Sequence, residues 1–203
     1  MINIAVFISG RGSNFLALEN NIKNGTVKNA EIKVVFSNNP NAKGLEYAKK
    51  SGIDTIVLPS KNREDRHEYD KEIIELLKPY NIDLICLAGY MRLVTSTLIE
   101  SYNNKIINIH PALLPSFKGL HAQLQALEYG VKVAGCTVHF VDDGMDSGAI
   151  ILQKVVPVYD DDNEESLSER ILKQEHIAYS EAVSLIANKK VEIIGRKVKI
   201  YEK

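Results

Sequence analysis

The chain has 203 residues, 45% of them apolar and 25% charged, with a formal net charge of −1. That length and balance fit one globular domain with a substantial core. Near-neutral charge argues against a broad footprint for nucleic acid or an anionic membrane, and no apolar run reaches the ~20 residues that span a bilayer.

In chain order, Ile2–Ile8 reads as the first strand, which leaves no charged lead-in or cleavage site for a signal peptide. Apolar runs at 32–36, 55–58, 84–88 and 105–109 read as further strands, apolar on both faces as buried parallel strands are. Phe15, Leu18 and Ile22 mark one helical stripe between them; Tyr69, Ile73, Leu76 and Leu77 mark another, ended by Pro79. Such alternation predicts right-handed crossovers and a Rossmann-like α/β fold, an open and mostly parallel twisted sheet with flanking helices. The rhythm changes after His110. A loop at 111–119 leads to a helix near 121–128, and 134–141 then alternates as a strand with Thr137, His139 and Val141 on one face. Residues 149–158 form another strand, whose Pro157 marks an edge or an end. The acidic run 160–165 opens the longest helix, with Leu167, Ile171, Ala178, Ala182 and Leu185 as its buried stripe. Val191–Ile194 and 197–201 close the chain as a hairpin around Gly195-Arg196, which adds antiparallel strands to the C-terminal half. Cys86 and Cys136 lie in apolar runs at a spacing that disfavours a disulfide or a metal pair, so buried thiols and a cytoplasmic location are expected.

Three segments carry chemistry. Ser9-Gly10-Arg11-Gly12-Ser13-Asn14 sits between the first strand and the first helix, where glycines and a helix N-terminus suit a single phosphate. Phe15 stands at the third glycine position of the dinucleotide fingerprint, and a tight turn capped by Ser13 or Asn14 is the alternative. Leu87-Ala88-Gly89-Tyr90-Met91-Arg92-Leu93-Val94 follows the fourth strand; it suits either a flat heteroaromatic ring or ordinary core packing. Asn108-Ile109-His110-Pro111 ends the fifth strand with an amide and an imidazole on one face, and Asp146 follows in Asp142-Asp143-Gly144-Met145-Asp146-Ser147-Gly148. An amide donor, a titratable ring and a carboxylate suit acyl or formyl transfer. His67, His121, His139 and His176 are read as solvated, capping or hydrogen-bonded residues. No cluster has metal-ligand spacing, and no Gly-x-Ser-x-Gly elbow marks a serine hydrolase.

Together these segments resemble the glycinamide ribonucleotide formyltransferases of the formyl-folate transferase and hydrolase superfamily. The likeness runs from Ile8-Ser9-Gly10-Arg11-Gly12-Ser13-Asn14 to Gln174-Glu175-His176, and is most specific in Asn108-Ile109-His110-Pro111-Ala112-Leu113-Leu114-Pro115 and in Gly135 to Gly148. It implies a single formyltransferase domain over 1–203, with a phosphate-binding half at 1–105 and a catalytic, folate-binding half at 106–203. It implies Asn108, His110 and Asp146 as catalytic, with Asp146 favouring the imidazolium form of His110. Gly12, Ser13 and Asn14 are expected on the glycinamide ribonucleotide phosphate, and Glu175 near its ribose. The co-substrate 10-formyltetrahydrofolate is expected against Met91, Arg92, Leu93 and Val94, against Asn108, and against Asp142, Asp143, Gly144, Met145 and Asp146. Arg66 is expected on its glutamate tail. The resemblance implies purine synthesis from two small-molecule substrates without a metal, by a monomer or a homodimer. Gln123 stands where many relatives have histidine, and Tyr90 replaces a frequent phenylalanine. A hydrolase is expected to carry an N-terminal regulatory domain, and a transferase acting on methionyl-tRNA a C-terminal RNA-binding domain; 203 residues leave room for neither. A non-catalytic binding module has no use for Asn108, His110 and Asp146 together.

Overall fold

The structure, a computed structural model, describes residues 1–201. It divides into two compact units, Met1–Asn108 and a second from Ile109 onward.

The first unit alternates strand and helix: β1 (Ile2–Ile8), α1 (Ser13–Lys23), β2 (Ala30–Ser37), α2 (Lys43–Lys50), β3 (Asp54–Val57), α3 (Arg66–Leu77), β4 (Leu84–Leu87), α4 (Ser96–Ser101) and the start of β5 (Ile106–His110). Its strands are parallel in the order β3-β2-β1-β4-β5. The chain builds outward from β1 to β3, then returns to lay β4 on the other side of β1. That reversal makes the carboxyl ends of β1 and β4 the switch point, where open α/β sheets bind ligands. β1 and β4 are the most apolar strands because both faces are covered: Ile4 to Ile8 are fully buried, and Leu84 to Leu87 nearly so. β3 departs from the expected pattern. As the edge strand it is half-exposed, and of residues 55–58, read as buried on both faces, only Leu58 is buried.

Two helices escaped the sequence reading. α2 is short and charged, Lys43-Gly44-Leu45-Glu46-Tyr47-Ala48-Lys49-Lys50, and it buries only Gly44, Leu45 and Ala48. α4 has six residues and buries only Leu98. Neither is long enough to show a helical period. Leu76, read into the buried stripe of α3, is 37% exposed, while Asp70 takes a buried place there instead.

The second unit contains α5 (Ala122–Tyr129), β6 (Val133–Phe140), β7 (Ile150–Pro157), α6 (Glu164–Ala187), β8 (Val191–Ile194) and β9 (Lys197–Ile200). β6 and β7 are antiparallel, β7 and β9 parallel, and β8 and β9 form the terminal hairpin. α6 packs across β6 and β7. It starts at Glu164 through a capping box: the Asn163 side chain accepts from the Ser166 N–H, and the Ser166 hydroxyl accepts from the Asn163 N–H. Arg170 grips Asp162 through two bonds of 2.6 and 2.7 Å just outside that cap, which holds the Asp162 carboxyl well below the usual carboxylate range. β6 is buried on both faces from Ala134 to Phe140, so the one-faced alternation read for it does not hold. The β6/β7 ladder shifts register between Val138 and His139. Such bulges re-aim a side chain, and here the residue at the shift is a histidine.

Candidate active site

β5 ends in His110, which is only 5% exposed. Pro111 follows and cannot continue the ladder. The 111–119 loop then folds back against β6: Thr137 donates to the Ala112 carbonyl at 2.7 Å and accepts from the Leu114 N–H at 3.1 Å. Gln153 of β7 adds bonds to the Leu114 carbonyl and to the Thr137 hydroxyl.

The far end of that loop reaches the titratable groups. His110 Nε2 lies 2.8 Å from the Phe117 carbonyl, and Nδ1 lies 3.4 Å from Asp146 Oδ2. A carbonyl only accepts, so Nε2 carries a proton. The Asp146 carboxylate offers the other ring nitrogen an acceptor as well. Asp146 Oδ2 in turn accepts from the Gly119 N–H at 2.8 Å. Its other oxygen lies 3.8 Å from His139 Nε2, while His139 Nδ1 meets the Phe140 carbonyl at 2.8 Å. Asp146 therefore stands between two buried histidines. Burial pushes the His139 pKa down, against the opposing pull of that carbonyl and of Asp146.

The backbone around this group is held off its ordinary conformations. Phe117, His121 and Asp146 have positive φ of 53°, 56° and 47°; left-handed backbone at non-glycine residues concentrates at functional sites. At Gly148 a Cβ would meet the Phe140 carbonyl oxygen at 1.8 Å, so no other residue fits where the 142–146 loop rejoins β7. Within that loop Asp142 accepts from the Gly144 N–H and the Ser147 hydroxyl. Asp142, Asp143, Gly144 and Met145 are exposed, and Asp146 is half-buried.

In the first unit, Gly12 precedes α1 with a φ of 74°, and a Cβ there would sit 3.0 Å from the Gly44 Cα of α2. Glycine is needed for both the turn and the approach. No side chain caps α1, so the alternative of a turn capped by Ser13 or Asn14 does not hold. Met91 and Leu93 are exposed, and Arg92 and Val94 half-buried, in the loop after β4. Tyr90 is an aromatic core residue, edge-on to Phe7 and Phe36. Arg92 lies over the Tyr69 ring of α3 at 4.3 Å, and Arg66, the first residue of that helix, is exposed. Asn108 closes the first unit, two positions before His110 on β5. Glu175 is buried on α6 in the second unit.

The remaining histidines divide. His67 pairs with the Thr97 hydroxyl on an exposed face, and His121 is 72% exposed with no capping bond. His176 has a buried Nε2, and burial lowers its pKa. Cys86 and Cys136 are buried thiols outside any disulfide, and burial pushes the Cys136 thiol up to about 12. His139 is the residue that sequence reasoning passed over. Its place on an apolar strand pointed to a satisfied core histidine; nothing local revealed that Asp146 would return to it.

Comparison with known proteins gives one consistent match. The family described as formyl transferase matches residues 2–183. The trifunctional purine biosynthetic protein adenosine-3 of Drosophila melanogaster is 45% identical over 186 residues, covering 91% of this chain but only 14% of that protein. The phosphoribosylglycinamide formyltransferase of Escherichia coli (strain K12) is 40% identical over 192 residues, covering 95% of this chain and 90% of that one. Among solved structures, glycinamide ribonucleotide transformylase 1 from Symbiobacterium toebii superimposes with a TM-score of 0.97 at 47% identity, covering 100% of this chain and 95% of that one.

Proposed function

The chain belongs to the formyl transferase family, and from that premise we propose that it transfers the formyl group of 10-formyltetrahydrofolate to the amine of glycinamide ribonucleotide. The products are formylglycinamide ribonucleotide and tetrahydrofolate, a step of purine synthesis in the cytoplasm. The names borne by the Escherichia coli and Symbiobacterium toebii proteins support glycinamide ribonucleotide as the formyl acceptor. One observation carries the chemistry: His110 is held between the Phe117 carbonyl and the Asp146 carboxylate, on the strand that also bears Asn108.

The substrate amine is already a competent nucleophile. Its lone pair attacks the formyl carbon, a C–N bond forms, and negative charge develops on the formyl oxygen. The Asn108 amide donates a hydrogen bond to that oxygen, a contact worth ~3–4 kcal/mol in comparable sites. His110, doubly protonated, adds positive charge beside it, and Asp146 holds the ring in that form. When the intermediate collapses, the bond to the folate nitrogen breaks. The amine loses one proton and the folate nitrogen gains one, with His110 taking part in the exchange.

Gly12, Ser13 and Asn14 hold the ribonucleotide phosphate on the α1 amides, and Glu175 takes the ribose. Residues 91–94 and 142–146 take the pterin, and Arg66 the glutamate tail. Phosphate binding far from the reacting carbon supplies orientation.

The test is a steady-state assay following tetrahydrofolate release from 10-formyltetrahydrofolate. Turnover is expected only when glycinamide ribonucleotide is present. Equal turnover in its absence would establish hydrolysis to formate and contradict the proposal.

A further inference from the structure

Ser9 opens the glycine-rich run whose later residues are assigned to phosphate, yet its side chain is turned to another use. Its hydroxyl accepts from the Met91 N–H at 2.8 Å and donates to Asn38 Oδ1 at 2.6 Å. Its N–H donates to the Gly89 carbonyl at 3.1 Å, and its carbonyl accepts from Asn39 Nδ2 at 2.9 Å. Asn38 is itself tied to the Ser60 hydroxyl. All four bonds of Ser9 are thus made within the first unit, and two of them go to the loop that follows β4.

That loop is fixed at two further points, both on α3. Arg92 lies on the face of Tyr69, which is fully buried and anchored through its hydroxyl to the Leu58 carbonyl at 2.6 Å. Asp70, next in sequence and 1% exposed, accepts from both the N–H and the hydroxyl of Thr95, at 2.6 and 2.8 Å. The segment between Gly89 and Thr95 is therefore pinned at its start, its middle and its end, while Met91 and Leu93 stay exposed. A loop that keeps apolar side chains in solvent while its backbone is tied down in this way is pre-organised to receive an apolar ligand.

We infer that Ser9 is a positioning residue for the folate-side loop: its hydroxyl sets the place of Met91 and does not bind the ribonucleotide phosphate. The inference rests on the reading that residues 91–94 hold the folate. It makes the switch point asymmetric. One residue of the glycine-rich run serves the co-substrate on the next strand, and the residues from Gly12 to Asn14 serve the ribonucleotide.

The test is Ser9→Ala, with both KM values, kcat and thermal melting measured on the full chain. Loss of one neutral hydrogen-bonding group is expected to raise the folate KM about 3- to 10-fold, with kcat and the ribonucleotide KM within about 2-fold of the parent. A general structural defect would move all three together. A ribonucleotide KM that rises as much as the folate KM or more overturns the inference, as does a folate KM that does not move. Leu93→Asp, at an exposed position of the same loop, separates the two ways of failing. If it raises the folate KM while Ser9→Ala does not, the role of Ser9 alone is wrong. If it also leaves the folate KM unchanged, the folate reading of 91–94 is wrong and the inference goes with it.

Discussion

Asp146 accepts from the Gly119 N–H, faces His110 and His139 with its two oxygens, and does so from left-handed backbone. Aspartate and asparagine are the side chains that tolerate that conformation best. Asp146→Asn can therefore keep both the φ and the Gly119 bond while removing the charge. It is expected to lower kcat by roughly 10²-fold or more with an unchanged melting temperature; retained activity would reduce Asp146 to a loop anchor. His110→Ala is expected to cost about 10²- to 10⁴-fold in kcat with the fold intact, read by steady-state rates and circular dichroism. The residue scale also shows where sequence reasoning stops. Asn108 and His110 could be paired from their spacing because a strand alternates faces. His139 could not be added, because its approach to Asp146 depends on how the 142–148 loop turns back along β6. Phe117 and Gly119 were invisible for a related reason: they act through a carbonyl and an N–H, which carry no side-chain signature.

At the scale of elements, two contributions have separable pH windows. The folded-state pKa of His139 is depressed below the ordinary value of 6.5, so between those two values the unfolded chain binds more protons than the folded one. Stability is then full above about 6.5 and is lost as pH falls toward the depressed value. His176 on α6 acts with the same sign. Asp162 is also depressed, but from 3.8, so its loss begins only below that. Urea midpoints are expected to be level from pH 8 to 7, to fall as pH drops below about 6.5, and to fall less in His176→Gln. A midpoint that rises on acidification through that range would contradict the burial of these rings. The α6 cap offers a second measurement. Asn163→Ala removes the side-chain acceptor of the capping box and is expected to cost about 0.5–2 kcal/mol in urea unfolding. The start of α6 was legible from its acidic run and Asn163, because caps are local chemistry. α2 and α4 were not legible, because at eight and six residues they are held by packing rather than by any period of their own.

For the whole molecule, the strand–helix alternation of the first unit was readable because buried parallel strands are continuous apolar runs. The reversal of strand order at β1 was not readable, since nothing in a strand's composition says on which side of β1 the chain will lay β4. That reversal gives the Ser9 to Asn14 loop and the loop after β4 their shared place at the switch point. In the second unit a carboxylate stands between two buried histidines. On the proposed reading, the helix terminus after Gly12 takes the phosphate, and His110 and Asp146 act on the formyl group. With 10-formyltetrahydrofolate carrying ¹³C in the formyl group, NMR during turnover with glycinamide ribonucleotide is expected to show the label moving into a new formamide on the ribonucleotide, with none released as formate. Label accumulating as free formate while the ribonucleotide stays unlabelled would contradict the account.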